Sequence, residues 1–312
     1  MSISSIARLR TRYVSLISFL LVLISLILFL IGFSLRVLKD VPFRQAFVVT
    51  TNPMRIISWD RQRTAMQIVS IPKDILIDGA FGYGQYSLTA LEALDVLDHK
   101  DGVLLVQSLA QAVGVPISGA IFVDSTESEA SALDSLKKIF SWRSIAGRVF
   151  GRIGSTISVS DWIHIVLILH ALGTNDAEVI DLSSATSDVV RADGMVIRIL
   201  DPQKVDFILG NSLHDANIRS ENKTITIINT TSIVGIGSSI ARIISRFGIQ
   251  VVSVGNESLK VVQCELETDK STKLTKTYQF LKSYLGCEEK LLSGEESGVS
   301  DITLRIGSSQ SE

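Results

Sequence analysis

The chain is short of the residues and spacings that most recognisable chemistry needs. It has 2 cysteines, 4 histidines and 5 prolines in 312 residues. No H-E-x-x-H and no paired C-x-x-C occurs, so spacing gives no metal site. No Ser, His and Asp stand in a triad order with a supporting motif. His164 and His170 lie six apart on an apolar stretch. That separation is about 600° of helical rotation and puts them on different faces, so they are poor co-ligands. His99 and His214 are isolated. Gly79, Gly82 and Gly84 have no following Lys-Ser/Thr, which excludes a P-loop. Gly235 and Gly237 begin a dinucleotide fingerprint that fails at Ile240. A formal net charge of −2 gives no global attraction to nucleic acid, and none is expected as a partner.

What the chain has in quantity is apolar sequence, with 46% hydrophobic and 20% charged residues. Tyr13 to Leu35 carries no charge, and its length of about 23 residues suffices to cross a bilayer as a helix. Arg8, Arg10 and Arg12 precede it, and Arg36 and Lys39 follow. A cleaved signal needs a shorter core and a small-residue cleavage site, neither of which is present. The expectation is a permanent anchor. The Lys/Arg bias across it is nearly flat, and a short tail before a first span usually stays inside. The reading is a cytoplasmic tail over residues 1–12, a transmembrane helix over 13–35 and an extracytoplasmic remainder. In that oxidising compartment Cys264 and Cys287 suggest a disulfide, with two buried free thiols as the alternative.

After the anchor, 43–51 reads as a strand, Asn52-Pro53 as a turn, 54–60 as a second strand and 64–71 as a third ended by Pro72. Short turns between them predict an antiparallel meander. Residues 78–84 read as a glycine-rich loop, 88–97 and 103–113 as helices with Gly114 as a C-cap, and 116–123 as a strand. Residues 131–140 look helical, and the segment up to Ser158 is rich in Gly and Ser with scattered Arg. Asp161 to Leu172 reads as a buried helix capped by Ser160 or Asp161 and ended by Gly173. Irregular strands are read over 179–201 and a helical or loop linker over 202–220. From Thr224 a new pattern runs strand 224–229, helix 239–247, strand 249–254, strand 259–266, helix 272–285 and strand 301–306. This β-α-β-β-α-β order predicts a small sheet-and-helix domain, and a cut near Arg219 to Lys223.

Ile68-Val69-Ser70-Ile71-Pro72-Lys73-Asp74 resembles the SIPRD signature of the LytR-CpsA-Psr (LCP) family. Ile227-Ile228-Asn229-Thr230-Thr231, Gly235-Ile236-Gly237, Ala241, Phe247-Gly248-Ile249 and Val251 resemble the family's LytR C-terminal domain. The resemblance implies an α+β protein: the anchor, a divergent LCP-like α/β domain with a mixed sheet over 43–218, a βαββαβ LytR C-terminal-like domain over 223–308 and a tail over 309–312. Family members transfer a glycopolymer from a polyprenyl-pyrophosphate carrier to peptidoglycan. Arginine forks suit the pyrophosphate, and carboxylates suit a metal or the acceptor's proton. Lys73 stands where the family has Arg, while Asp74 is kept, and these two are the phosphate-binding candidates. Thr51-Asn52-Pro53-Met54 occupies the place of the family's Arg-Ser-Asp-Thr element, and its later arginine element has no counterpart. Arg143, Arg148 and Arg152 are the arginines available from unaligned positions.

The first reading implied by the resemblance is a binding or scaffolding envelope protein with a degenerate active site, not an enzyme. Its catalytic residues are unassigned, and it has no metal site. An active transferase is the second reading, the only one to which Mg belongs. A pure protein-interaction module is the third. Expected partners are the membrane, a polyprenyl phosphate lipid or peptidoglycan, and an envelope protein.

Overall fold

The computed structural model describes residues 24–25, 43–60, 65–123, 131–150, 154–173, 176–258, 261–291 and 299–308. The expected tail 1–12, the span 13–35 (apart from 24–25), the tail 309–312 and Arg152 lie outside the described residues. Among the described residues no helix is long and apolar enough to cross a membrane.

The meander forms as β1 (Gln45–Val49), β2 (Met54–Asp60) and β3 (Ala65–Ile71). Both pairings are antiparallel, with Val49 opposite Arg55 and Arg55 opposite Ser70. The short β6 (Ala120–Ile121) joins β1 in parallel, and β7 (Ala177–Asp181) joins β3 in parallel. The resulting sheet has the order β6-β1-β2-β3-β7 and is mixed, because β2 alone runs against the other four. Period-two alternation sorts its side chains into two cores. Ala46, Val48, Met54, Ile56, Val69 and Ile71 face α1 (Leu88–Leu97), α2 (Val103–Val113) and α6 (Pro202–Leu209). Phe47, Val49, Ile57, Trp59, Met66 and Ile68 face α3 (Ala132–Ile139), α4 (Trp142–Val149) and α5 (Val159–Ala171). Burial on both faces explains why these strands read as continuous apolar runs.

A second sheet of order β5-β4-β9-β8 joins β4 (Leu76–Gly79), β5 (Gly84–Ser87), β8 (Thr186–Val190) and β9 (Val196–Leu200). The stretch 78–84 expected as a loop is therefore the tip of the β4–β5 hairpin, turned by Gly82 and Gly84 at φ 77° and 88°. The strand expected over 116–123 shrinks to two residues, since Pro116 has no N–H for a ladder. The linker expected over 202–220 is two helices, α6 and α7 (Ala216–Glu221), capped by Asp201 and Asp215. The helix expected from Asp161 starts two residues earlier, capped by Ser158, whose hydroxyl accepts from the Asp161 N–H; its last turn ends on extended Leu172 instead of Gly173.

The third sheet has the order β11-β10-β14-β12-β13. It is built from β10 (Thr224–Asn229), β11 (Gln250–Asn256), β12 (Glu265–Thr268), β13 (Glu288–Leu291) and β14 (Ile302–Ile306), with α8 (Ile236–Phe247) and α9 (Lys276–Leu285) on one side. The observed order is β-α-β-β-α-β-β. The added β13 was hidden by its charge, Glu288-Glu289-Lys290, which suits an exposed sheet edge. β12 begins at Glu265, so the strand expected over 259–266 is displaced towards the C-terminus. Cys264 and Cys287 are bonded to each other, with Cα atoms 4.7 Å apart, tying the start of β12 to the start of β13.

Packing crosses the cut expected near Arg219 to Lys223. Ile243 of α8 lies in the first sheet's core, and Phe43 stacks edge-on to Phe280 of α9 at 5.5 Å. Arg242 donates from Nη1 to the carbonyls of Gln111 (2.7 Å) and Ala112 (3.1 Å), and from Nε and Nη2 to the Asp206 carboxylate. Arg246 donates to the same carboxylate. Gly114 makes room for this clasp: at φ 70° it caps α2, and a Cβ there would lie 3.1 Å from the Arg242 guanidinium.

Candidate functional site

β1, β3, β6 and β7 are mutually parallel, so their C-terminal ends share one edge of the first sheet. In open α/β sheets that edge is where ligands bind. Thr50 to Asn52 follows β1 there, Lys73 and Asp74 follow β3, and Asp181 ends β7. Arg55, near the start of the antiparallel β2, comes to the same edge. The two candidates after β3 have different surroundings. Lys73 reaches back to Glu92 of α1, with Nζ 2.8 Å from the carboxylate and both side chains largely covered. Its backbone carbonyl accepts from the Thr89 N–H at 3.4 Å. Its charge is therefore matched within the fold. Asp74 is exposed and makes no hydrogen bond among the described residues.

Arg55 is different in kind. The register places Val49, Arg55, Ser70 and Asp181 in one row across β1, β2, β3 and β7, on the face covered by α3 to α5. Arg55 is 6% exposed, and its Nε has no hydrogen-bond partner among the described residues. It forms no ion pair there, and burial pushes its guanidinium below the ordinary arginine value. Removing an ion from water costs several kcal/mol unless a partner replaces the lost hydration. Ser70 beside it is buried, and Asp181 at the end of the row is held by the Ser183 N–H and hydroxyl at 2.9 and 2.8 Å. The edge is otherwise backbone-rich. The Thr50 hydroxyl accepts from the Val123 N–H at 3.0 Å, the Thr51 hydroxyl donates to the Pro53 carbonyl at 2.7 Å, and Asn52-Pro53 is cis. The site so assembled is one buried, uncompensated fork beside small polar side chains, suited to a doubly acceptor-bearing anion such as a phosphate oxygen pair.

Arg55 is the residue that sequence reasoning passed over. Its one signal was a cation at a position where the alternation of Met54 to Asp60 calls for an apolar side chain. Of the arginines from unaligned positions, Arg148 is spent inside the fold, donating to the Ser155 and Ile157 carbonyls, and Arg143 is exposed on α4. His170 packs at a tilt against Trp142, with ring centroids 5.8 Å apart, and does not meet His164 in a metal-binding group; among the described residues no cluster of three acidic, histidine or cysteine side chains forms one. A cleft of about 510 Å³ opens instead by the N-terminal end of β1, between Phe43, Gln45, Val103, Gln107 and Tyr284. None of Arg55, Lys73 or Asp74 lines it.

No protein-family model matches the sequence, and no curated protein matches it. Solved structures similar to the chain include TagV from Bacillus subtilis, at 11% identity and a TM-score of 0.38, covering 55% of this chain and 95% of that one. The LytR-CPS2A-psr family protein YwtF (TagT), solved with bound octaprenyl pyrophosphate lipid, is 13% identical with a TM-score of 0.36, covering 55% and 90%. The Lin1025 protein from Listeria innocua is 9% identical with a TM-score of 0.36, covering 54% and 96%. The structural neighbours are thus LytR-CPS2A-Psr proteins, matched over about half of this chain.

Proposed function

We propose that this chain is an envelope protein anchored by residues 13–35, whose extracytoplasmic body binds the phosphate head of a polyprenyl-linked glycopolymer and does not transfer it. Its domains are the LCP-like one over 43–218 and the LytR C-terminal-like one over 223–308. The observation that carries the reading is Arg55, a buried fork with no counter-charge among the described residues, on the same sheet edge as the SIPKD stretch. A phosphate diester or pyrophosphate would return to it the hydrogen bonds that burial removed. Binding without transfer follows from the charge count. Lys73 is neutralised by Glu92, and Asp181 is held by Ser183, which leaves Arg55 as the one unpaired cation at the edge among the described residues. One feature favours the transferase alternative: Asp74 is exposed at that edge and free to take a proton or a divalent ion.

The test is native mass spectrometry of the full chain extracted from a bacterial membrane in mild detergent. The reading predicts co-purified polyprenyl phosphate in the wild type and in Lys73→Ala, and its loss in Arg55→Gln. Equal lipid in Arg55→Gln, or none in the wild type, would overturn it.

A further inference from the structure

A second surface has a composition that the phosphate-binding reading does not use. Between Asp134 and Asp161 the sequence holds five cations (Lys137, Lys138, Arg143, Arg148 and Arg152) and no acid, in a chain of net charge −2. The helix in this run, α4, was not evident from its Gly- and Ser-rich sequence. Its inner side is committed: Ser144 is buried and accepts from the indole N–H of buried Trp162 at 3.1 Å. Its outer side is apolar. Trp142 is 57% exposed, and Ala146, Val149 and Phe150 are exposed at i+4, i+7 and i+8, a single helical stripe; Phe150 is 76% exposed. The stripe continues onto α5, where Leu167 is exposed and His170 packs at a tilt against the Trp142 ring. Lys138 and Arg143 are exposed beside it, and neither forms an ion pair among the described residues. The acids bounding the run are engaged at helix starts, Asp134 with Ser131 and Asp161 with Ser158, both at 2.6 Å.

An exposed tryptophan and phenylalanine in an apolar stripe, flanked by unpaired cations, is the pattern of an element lying in a membrane interface. We propose that the outer face of α4 and α5 docks onto the surface of a bilayer carrying anionic lipid. The apolar stripe enters the headgroup boundary, while Lys138 and Arg143 meet lipid phosphates. Charge complementarity selects lipid as the occupant, since every charged residue between Asp134 and Asp161 is a cation and an anionic bilayer presents phosphates throughout its surface. This adds a second membrane contact to the anchored protein of the preceding section, and it is tested by a separate signal.

Trp142 makes the test direct. Trp59 and Trp162 are fully buried, so of the protein's 3 tryptophans only Trp142 is placed to respond to lipid. The full chain is reconstituted into phosphatidylglycerol vesicles with brominated acyl chains, and into brominated phosphatidylcholine vesicles. Docking predicts quenching of Trp142 in the anionic vesicles, weaker quenching in the zwitterionic ones, and loss of the quenched component in Trp142→Phe. At about 1 kcal/mol per cation, Lys138→Gln and Arg143→Gln each lower the docked-to-undocked ratio about fivefold. Unquenched emission from vesicle-bound chain overturns the proposal, and is also what a protein-docking face would give. Flotation of the same vesicles reads the anchor independently. A chain that floats with Trp142 unquenched refutes only the docking, and one that fails to float refutes the anchor.

Discussion

Arg55→Met should make the unliganded protein more stable while abolishing its proposed binding. Wild-type Arg55 is 6% exposed, with Nε unpartnered among the described residues, between the β-strand neighbours Val49 and Ser70. Replacing even a compensated buried ion pair by apolar side chains of similar volume is often neutral or stabilising by about 1–4 kcal/mol, and a lone buried ion has no pairing energy to lose. The lower half of that range applies, because a residue at the edge of its sheet can still extend part of its fork towards water. A gain of about 1–2 kcal/mol corresponds to roughly 2–4 °C in Tm for a protein of this size. Arg55→Gln is the control, since an unpartnered buried amide is itself costly and should give little or no rise. The assay is thermal unfolding of the full chain in detergent, stripped of lipid. A fall in Tm for Arg55→Met would show that the cation is compensated in the free protein, and would remove the physical basis for the site.

Other outcomes follow from the packing. Asp206→Ala leaves Arg246, whose side chain is 6% exposed, without its carboxylate, and should cost about 2–3 kcal/mol by urea unfolding; the value sits below that of a fully buried pair because Asp206 is 43% exposed. An unchanged urea midpoint would show that the clasp adds nothing. The Cys264–Cys287 bond closes a sequence separation of 23, so the double alanine variant should lose about 3 kcal/mol, read as a drop in Tm that reductant reproduces only in the wild type. Lys282 and then Lys273 hold the Glu289 carboxyl down to about 2. Its contribution to stability is therefore fully present above the unfolded value of about 4.3 and is lost as pH falls through about 2. Acid unfolding of Glu289→Gln should lack that component.

Elements whose pattern is local were legible in the sequence. The meander, α1, α2 with Gly114, and the β10–α8–β11 unit follow from alternation, 3.6-residue periodicity and glycines at positive φ. Elements that long-range pairing creates were not. β13 is four charged or apolar residues that become a strand because β12 lies beside them, and β9 joins β4 in parallel across more than a hundred residues of chain. α4 escaped because Gly147 and Ser144 lower its helix propensity, while tertiary contacts such as the Trp162–Ser144 hydrogen bond hold it. At the candidate site, the motif led to Lys73 and Asp74, but the partner that silences Lys73 is 19 residues away. Arg55 became a candidate only when the register showed which face of β2 it occupies.

Binding of a prenyl-linked phosphate by Arg55 is read from a ligand-induced thermal shift. The full chain in detergent is heated with and without farnesyl pyrophosphate, with inorganic pyrophosphate as a parallel arm to separate headgroup from lipid. At 100-fold excess over Kd, a ligand bound only by the folded state adds about 2.7 kcal/mol, a shift of several degrees. That shift is expected in the wild type and Lys73→Ala, and none in Arg55→Met. An equal shift in Arg55→Met, or no shift in the wild type, would contradict it.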